Sequence, residues 1–311
     1  MLRQADGLQD FLRKAISMLI DIHVHTCRIR PLARALGRHF VEPATMVEMM
    51  DARGIDRAIV LPIISPEHMT HYITPEEVME TCTQYPDRLI PFCNLDPRML
   101  TNTPTADFRP ILKFYKEAGF KGFGEFTANL PFDDPLQMNV FKQVEEIGFP
   151  LTFHIAPRQG GFYGCQDDAG LPRLERVLKA CPNLKVLGHS QPFWAEMSAD
   201  VTEEMRNGYP KGKVKPGRVV DLMRNYPNLY GDLSAGSGLN AISRDPAFGD
   251  RFLEEFQDRL LFGTDICWPN QETPIVDYFR TLQDERRISP EAYEKIAWRN
   301  ADRLLGLGIQ G

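Results

Sequence analysis

Short runs of apolar and β-branched residues recur along the chain at Leu19–His25, Arg57–Ile63, Leu89–Leu95, Phe120–Phe126, Pro150–Ile155, Leu184–His189, Leu229–Ser234 and Leu260–Asp265. Between them apolar residues fall at helical spacing, over Ala44–Arg53, Pro75–Gln84, Ile111–Ala118, Pro135–Ile147, Leu171–Ala180, Gly217–Asn225 and Pro246–Phe256. This alternation predicts βα units and a parallel sheet. An open doubly wound sheet would announce a Gly-rich phosphate turn after its first strand. Here the first strand ends in histidines, and the eight runs predict a single-domain (β/α)8 TIM barrel over residues 18–311.

Three joints repeat one cadence, helix then Pro-Asn or Pro-Asp then strand: Tyr85-Pro86-Asp87, Cys181-Pro182-Asn183 and Tyr226-Pro227-Asn228. Proline ends each helix there, which is punctuation and not chemistry. Residues 1–17 carry Leu8, Phe11, Leu12 and Ile16 at helical spacing and read as an appendage, with Met18 a candidate natural start. The long stretch from Gln191 to Pro216, with Trp194 and Tyr209, is expected to cover the active site.

Side chains alternate along a strand, so Asp21, His23 and His25 are expected on one face and Ile20, Ile22 and Val24 on the other, against the helices. Two imidazoles two residues apart stand roughly 6–7 Å from each other at their Cα atoms, close enough to chelate one ion. A single strand histidine is more often a core residue; two in Asp-x-His-x-His at the start of a barrel are not.

His154, His189 and Asp265 close the fifth, sixth and eighth predicted strands, at the ends where barrels place their chemistry. Glu125 closes the fourth, with Lys121 and Phe123 on the same face by parity. Lys121 lies roughly 13 Å deeper and would miss an ion at the rim, which leaves Glu125 as the candidate ligand.

The 311 residues are 43% hydrophobic and 25% charged with formal net charge −6, a mildly acidic balance that argues against broad nucleic-acid or membrane binding. No apolar run reaches spanning length and the N-terminus lacks a signal-peptide core, so a cytoplasmic location is expected. The six cysteines are scattered without CxxC spacing, which argues against a disulfide framework or four-cysteine zinc site. Cys27 and Cys267 flank the histidine and aspartate motifs and read as buried thiols, with thiolate ligation the alternative.

From Met18 onward the chain resembles the amidohydrolase superfamily, and within it the amidohydrolase-2 group that contains aminocarboxymuconate semialdehyde decarboxylase. The likeness rests on Asp21-Ile22-His23-Val24-His25, Gly119-Phe120-Lys121-Gly122-Phe123, the His154 strand, Gly188-His189-Ser190, Gly231-Asp232-Leu233-Ser234, Leu261-Phe262-Gly263-Thr264-Asp265 and Asn300-Ala301-Asp302-Arg303-Leu304-Leu305-Gly306-Leu307. Carried over by position, it implies His23, His25, His154 and Asp265 as metal ligands, with His189 polarising substrate or binding a second ion. Decarboxylases and hydratases of the group often have Glu where this chain has Asp21, whereas hydrolytic members look more like Asp-x-His-x-His. Gly124-Glu125 is similar to the fourth-strand glutamate of TatD-like nucleases, which bridges two ions.

Histidine nitrogens with a carboxylate suit Zn2+, with Mn2+ the alternative, and one or two ions are expected. The expected chemistry is hydrolysis of an ester, lactone or amide by a metal-activated water, with Asp265 as general base and His189 donating to the developing oxyanion. A lyase, decarboxylase or hydratase, is the alternative. Arg28, Arg30, Arg158, Tyr163, Phe193, Trp194 and Trp268 are expected around the mouth, and Arg28, Arg158 and Trp268 are read as binding a small anionic substrate. A homo-oligomer is left open.

Overall fold

The computed structural model describes residues 18–28, 38–68 and 71–309; the expectations for residues 1–17 and for Arg30 lie outside these. Eight parallel strands form the barrel: β1 (Ile20–Val24), β2 (Arg57–Val60), β3 (Leu89–Pro91), β4 (Phe123–Phe126), β5 (Leu151–Ala156), β6 (Val186–His189), β7 (Leu229–Asp232) and β8 (Leu260–Leu261). β1-β2-β3 and β4 to β8 pair as two ladders, and a two-residue strand, Cys165–Gln166, pairs with β5.

Backbone bonds join the ladders into a ring. Cys93 N–H donates to the Gly122 carbonyl at 2.9 Å on one side; Ile22 N–H donates to Phe262 and Asp265 N–H to His23, both at 2.9 Å, on the other. Among the described residues no helix is long and apolar enough to cross a membrane.

The helices start where local chemistry says they should. Pro75–Gln84 and Pro135–Ile147 each carry proline in the first turn, and the Thr74 and Asp134 side chains accept N–H groups of Glu77 and Leu136. Both observed spans coincide with the predicted ones.

The simple alternation expected in β1 does not hold. Asp21 pairs with Ala58 and Val24 with Val60, three residues against two, so the strand bulges between them. Ile20 and Ile22 therefore join an apolar cluster with Ile59, Leu61, Ile90, Phe92, Leu187 and Leu261, drawn from strands around the ring and so inside it. Ala301 and Leu305 of the C-terminal helix Asn300–Leu305 belong to the same cluster. Val24 belongs to the other cluster, with Met46 and Met50 of the helix Pro43–Arg53.

β4 has the same irregularity, Phe123 pairing with Leu151 and Phe126 with Phe153. Phe126 packs 5.2 Å from the Phe141 ring of helix Pro135–Ile147, and Phe123 packs 6.0 Å from Phe126, so parity does not put Phe123 beside Glu125.

The segment after β6 is anchored from within. It begins as the helix Gln191–Ala195, and the buried Arg206 guanidinium pairs with Glu196 at 2.8 Å and donates to the carbonyls of Asp167 and Asp168, each at 3.2 Å. Phe193 and Trp194, expected at the mouth, are buried instead: Phe193 lies against Gly188, and the Trp194 indole N–H donates to the Asp232 carbonyl at 2.9 Å.

Candidate metal centre

The bulge in β1 turns His23 and His25 to one point, their Nε2 atoms 3.1 Å apart. The other nitrogen of each ring is committed. His25 Nδ1 donates to the Leu61 carbonyl at 2.8 Å, and His23 Nδ1 donates to Asp232 Oδ2 at 2.6 Å. Both Nε2 atoms are thereby left facing each other with lone pairs, an arrangement that calls for a cation, whether a proton or a metal ion.

Asp265 closes the group from β8, its Oδ1 3.8 Å from each Nε2. Its backbone is left-handed, φ +58°, a conformation aspartate tolerates better than most residues. Two bonds hold it there, Asp265 N–H to the His23 carbonyl at 2.9 Å and Gln271 Nε2–H to the Asp265 carbonyl at 2.7 Å.

Glu125 Oε2 lies 3.3 Å from His25 Nε2 and 3.7 Å from His23 Nε2, while its Oε1 accepts from His154 Nδ1 at 2.8 Å. Gly124 makes this approach feasible: at φ +125°, a Cβ there would meet the Thr152 carbonyl oxygen at 2.3 Å. His189 sits behind, its Nδ1 3.0 Å from Ser234 Oγ and its Nε2 3.9 Å from Glu125 Oε1. His23, His25 and Asp265 offer ligand atoms all within 4.8 Å of one another, as do His23, Glu125 and His189.

The charges support one another. Burial would lower the His23 pKa, but the Asp232 and Glu125 carboxylates outweigh it and hold it well above the ordinary value. Burial likewise opposes ionisation of Glu125, yet hydrogen bonds from His154, His23 and His25 keep it well below the usual carboxylate range. Burial and the neighbouring His23 charge push His189 down to about 3, so it is a neutral imidazole. Burial raises Asp265 against the opposing pull of His23 and His25, with Glu125 and Asp232 adding to the rise.

Of the residues predicted from sequence, the structure brings His23, His25, Glu125, Asp265, His154 and His189 to one place, with His154 reaching the others through Glu125. Asp21 turns away: its carboxylate accepts N–H groups of Thr264 at 2.9 Å and His23 at 3.0 Å, and the Thr264 hydroxyl. Burial moves that carboxyl up to about 7.

Trp268 lines a cavity of about 210 Å³ with Asp265, Gln191, Tyr209, Gln271 and Glu272, so part of the segment after β6 does border the site. Arg28 instead pairs with Glu80, and Arg158 lies 5.1 Å over the Phe162 ring. Two residues escaped sequence reasoning. Asp232, which orients His23, stood in plain view as the carboxylate of Gly231-Asp232-Leu233-Ser234 at a strand end. Arg38, whose guanidinium lies 4.2 Å over the Trp268 ring, carries no motif.

A family model described as Amidohydrolase matches residues 20–307. The chain belongs to the amidohydrolase family. Members of this family use divalent metal ions, and the His/Asp group described above could hold one. No match was found among curated proteins.

Solved structures share the amidohydrolase barrel. An uncharacterised TIM-barrel protein from Bordetella bronchiseptica is 20% identical, with TM-score 0.62 over 93% of this chain and 98% of that one. The 2,6-dihydroxybenzoate decarboxylase from Rhizobium is 19% identical, TM-score 0.57, over 94% and 98%. A probable 2-pyrone-4,6-dicarboxylic acid hydrolase from Acinetobacter baumannii is 14% identical, TM-score 0.54, over 93% and 99%. At these identities the likeness is one of fold.

Proposed function

We propose that this amidohydrolase is a metal-dependent hydrolase that cleaves an ester, lactone or amide bond of a small carboxylated substrate. The observation that carries the reading is the convergence of His23 Nε2, His25 Nε2 and Asp265 Oδ1 beside the cavity. We assign His23, His25, Asp265 and Glu125 as ligands of one ion, with His154, whose Nδ1 faces Glu125 at 2.8 Å, as a further candidate ligand. An imidazole nitrogen has one lone pair, so His23 serves one ion; a second would need Glu125 as the bridge, its Oε1 facing His154 and His189. Nitrogen and carboxylate donors favour Zn2+, with Mn2+ the competitor.

A divalent ion bound there would supply Lewis acidity and lower the pKa of a water to about 7. Asp265, whose side chain is 27% exposed and borders the cavity, takes the proton of the attacking water and returns it to the leaving group. Neutral His189 donates to the developing oxyanion. Trp268, with Arg38 stacked on it, gives the cavity a flat wall backed by positive charge, which suits a carboxylate-bearing ring.

The test is turnover on a panel of lactones, carboxylated aromatics and dipeptides, before and after chelation and after return of Zn2+ or Mn2+. Full turnover by metal-depleted protein on any identified substrate overturns the proposal. A second reading, a lyase, draws on the 2,6-dihydroxybenzoate decarboxylase among the fold neighbours, with the ion gripping the substrate's carboxylate. Release of CO2 without bond hydrolysis would select it.

A further inference from the structure

Among the described residues, one group of side chains outside the centre just described has the composition of a metal site. Cys27 Sγ lies 3.2 Å from His71 Nε2, and with a Glu77 carboxylate oxygen the three ligand atoms fall within 4.8 Å of one another. We propose that Cys27, His71 and Glu77 bind a divalent ion of the Zn2+ type, separate from the catalytic one and sharing no ligand with it.

Three segments bring these residues together, each fixed by its own backbone. Cys27 follows β1, its N–H donating to the Val41 carbonyl at 3.1 Å. His71 stands two residues before Ile73, which exchanges both backbone bonds with Ile63 at 2.9 Å. Glu77 lies in the first turn of the helix Pro75–Gln84, its N–H held by Thr74 Oγ1 and its Oε1 accepting the Arg28 N–H at 2.7 Å. The three anchor points are thus set without an ion, as a site on rigid elements requires.

The donor set names the ion. Thiolate, imidazole and carboxylate together suit a borderline-soft divalent cation, and three protein ligands leave a fourth position for water. Zn–S near 2.3 Å and Zn–N near 2.1 Å at tetrahedral angles put S and N roughly 3.5 Å apart. The observed 3.2 Å needs a shift of only a few tenths of an ångström. On binding, the Cys27 thiol gives its proton to solvent. The ion then ties the end of the first strand to the helix after the second.

Co2+ titrated into the full chain tests this, because only a thiolate ligand gives intense near-ultraviolet charge-transfer absorption and the catalytic centre contains no sulfur. The expected result is such a band in the unaltered chain and in Cys267→Ala, and its loss in Cys27→Ala and in His71→Ala, each of which binds one equivalent fewer Co2+. Absence of the band, its survival in His71→Ala, or its loss in Cys267→Ala overturns the proposal. His71 is only partly buried, so its variant carries the test if Cys27→Ala fails to fold. None of these readouts depends on turnover.

Discussion

The Asp232 carboxylate lies 2.6 Å from His23 Nδ1, with both side chains fully buried. One carboxylate in β7 thereby fixes the tautomer and direction of a candidate metal ligand in β1. Asp232→Asn keeps the shape but weakens the acceptor. Metal affinity is expected to fall about 10–100-fold, the usual cost of removing such an orienting partner, as read by competition with a chromogenic chelator. Unchanged affinity would remove Asp232 from the role.

Asp265→Asn separates proton transfer from binding. Turnover should drop about 10²–10⁴-fold with KM little changed, as expected for loss of a general base. Metal content is measured on the same sample. A variant that keeps both its ion and its turnover excludes Asp265 as the base.

Gly124→Ala sets a methyl group against the Thr152 carbonyl at a backbone angle alanine resists. The expected loss of stability is about 1–3 kcal/mol, seen as a lower urea midpoint, accompanied by weaker metal binding as Glu125 is displaced. A midpoint equal to that of the unaltered chain would show that the strand absorbs the change.

Asp167 offers a pH signature away from the centre. Burial raises its carboxyl from 3.8 to about 6, although backbone N–H groups of Leu174, Arg173 and Asp168 oppose the shift. The folded state therefore holds this proton more tightly than the unfolded chain does. As pH rises from about 4 to about 6 the unfolded state ionises first, and stability falls by roughly 2–3 kcal/mol on this account. Comparing unfolding free energies of the unaltered chain and Asp167→Asn at pH 4 and pH 7 should show that decline in the former only. Parallel curves would refute it.

Much of this could be read from the chain before its structure. The eight strands follow from short apolar runs, and the helices Pro75–Gln84 and Pro135–Ile147 from proline at the first turn and a capping side chain. What escaped was set by tertiary contact. The helix Ala235–Ser243 is written in small residues, and a Cβ on its Gly238 would meet the Leu233 carbonyl oxygen at 2.2 Å. Strand parity could not foresee the bulges in β1 and β4, yet the one in β1 lets Ile22 fill the interior while His23 turns to the candidate metal centre. Predicted β8 ran to Asp265, but its ladder ends at Leu261, and Asp265 turns left-handed beyond it. Arg28 was expected to face substrate; the nearby acid Glu80 claims it.

The bond from Thr264 N–H to Asp21 joins residues 243 positions apart. In the proposed assignment Asp265, the next residue, shares an ion with His23 and His25, so three of the ligands come from the two ends of the barrel sequence. During synthesis the histidines emerge early and wait for most of the chain before their partner exists. Closing so long a loop is slow, and such topologies pass through partly assembled states. Tight metal binding would then mark the moment the ring closes, making the appearance of a high-affinity site a clock for the last step of folding.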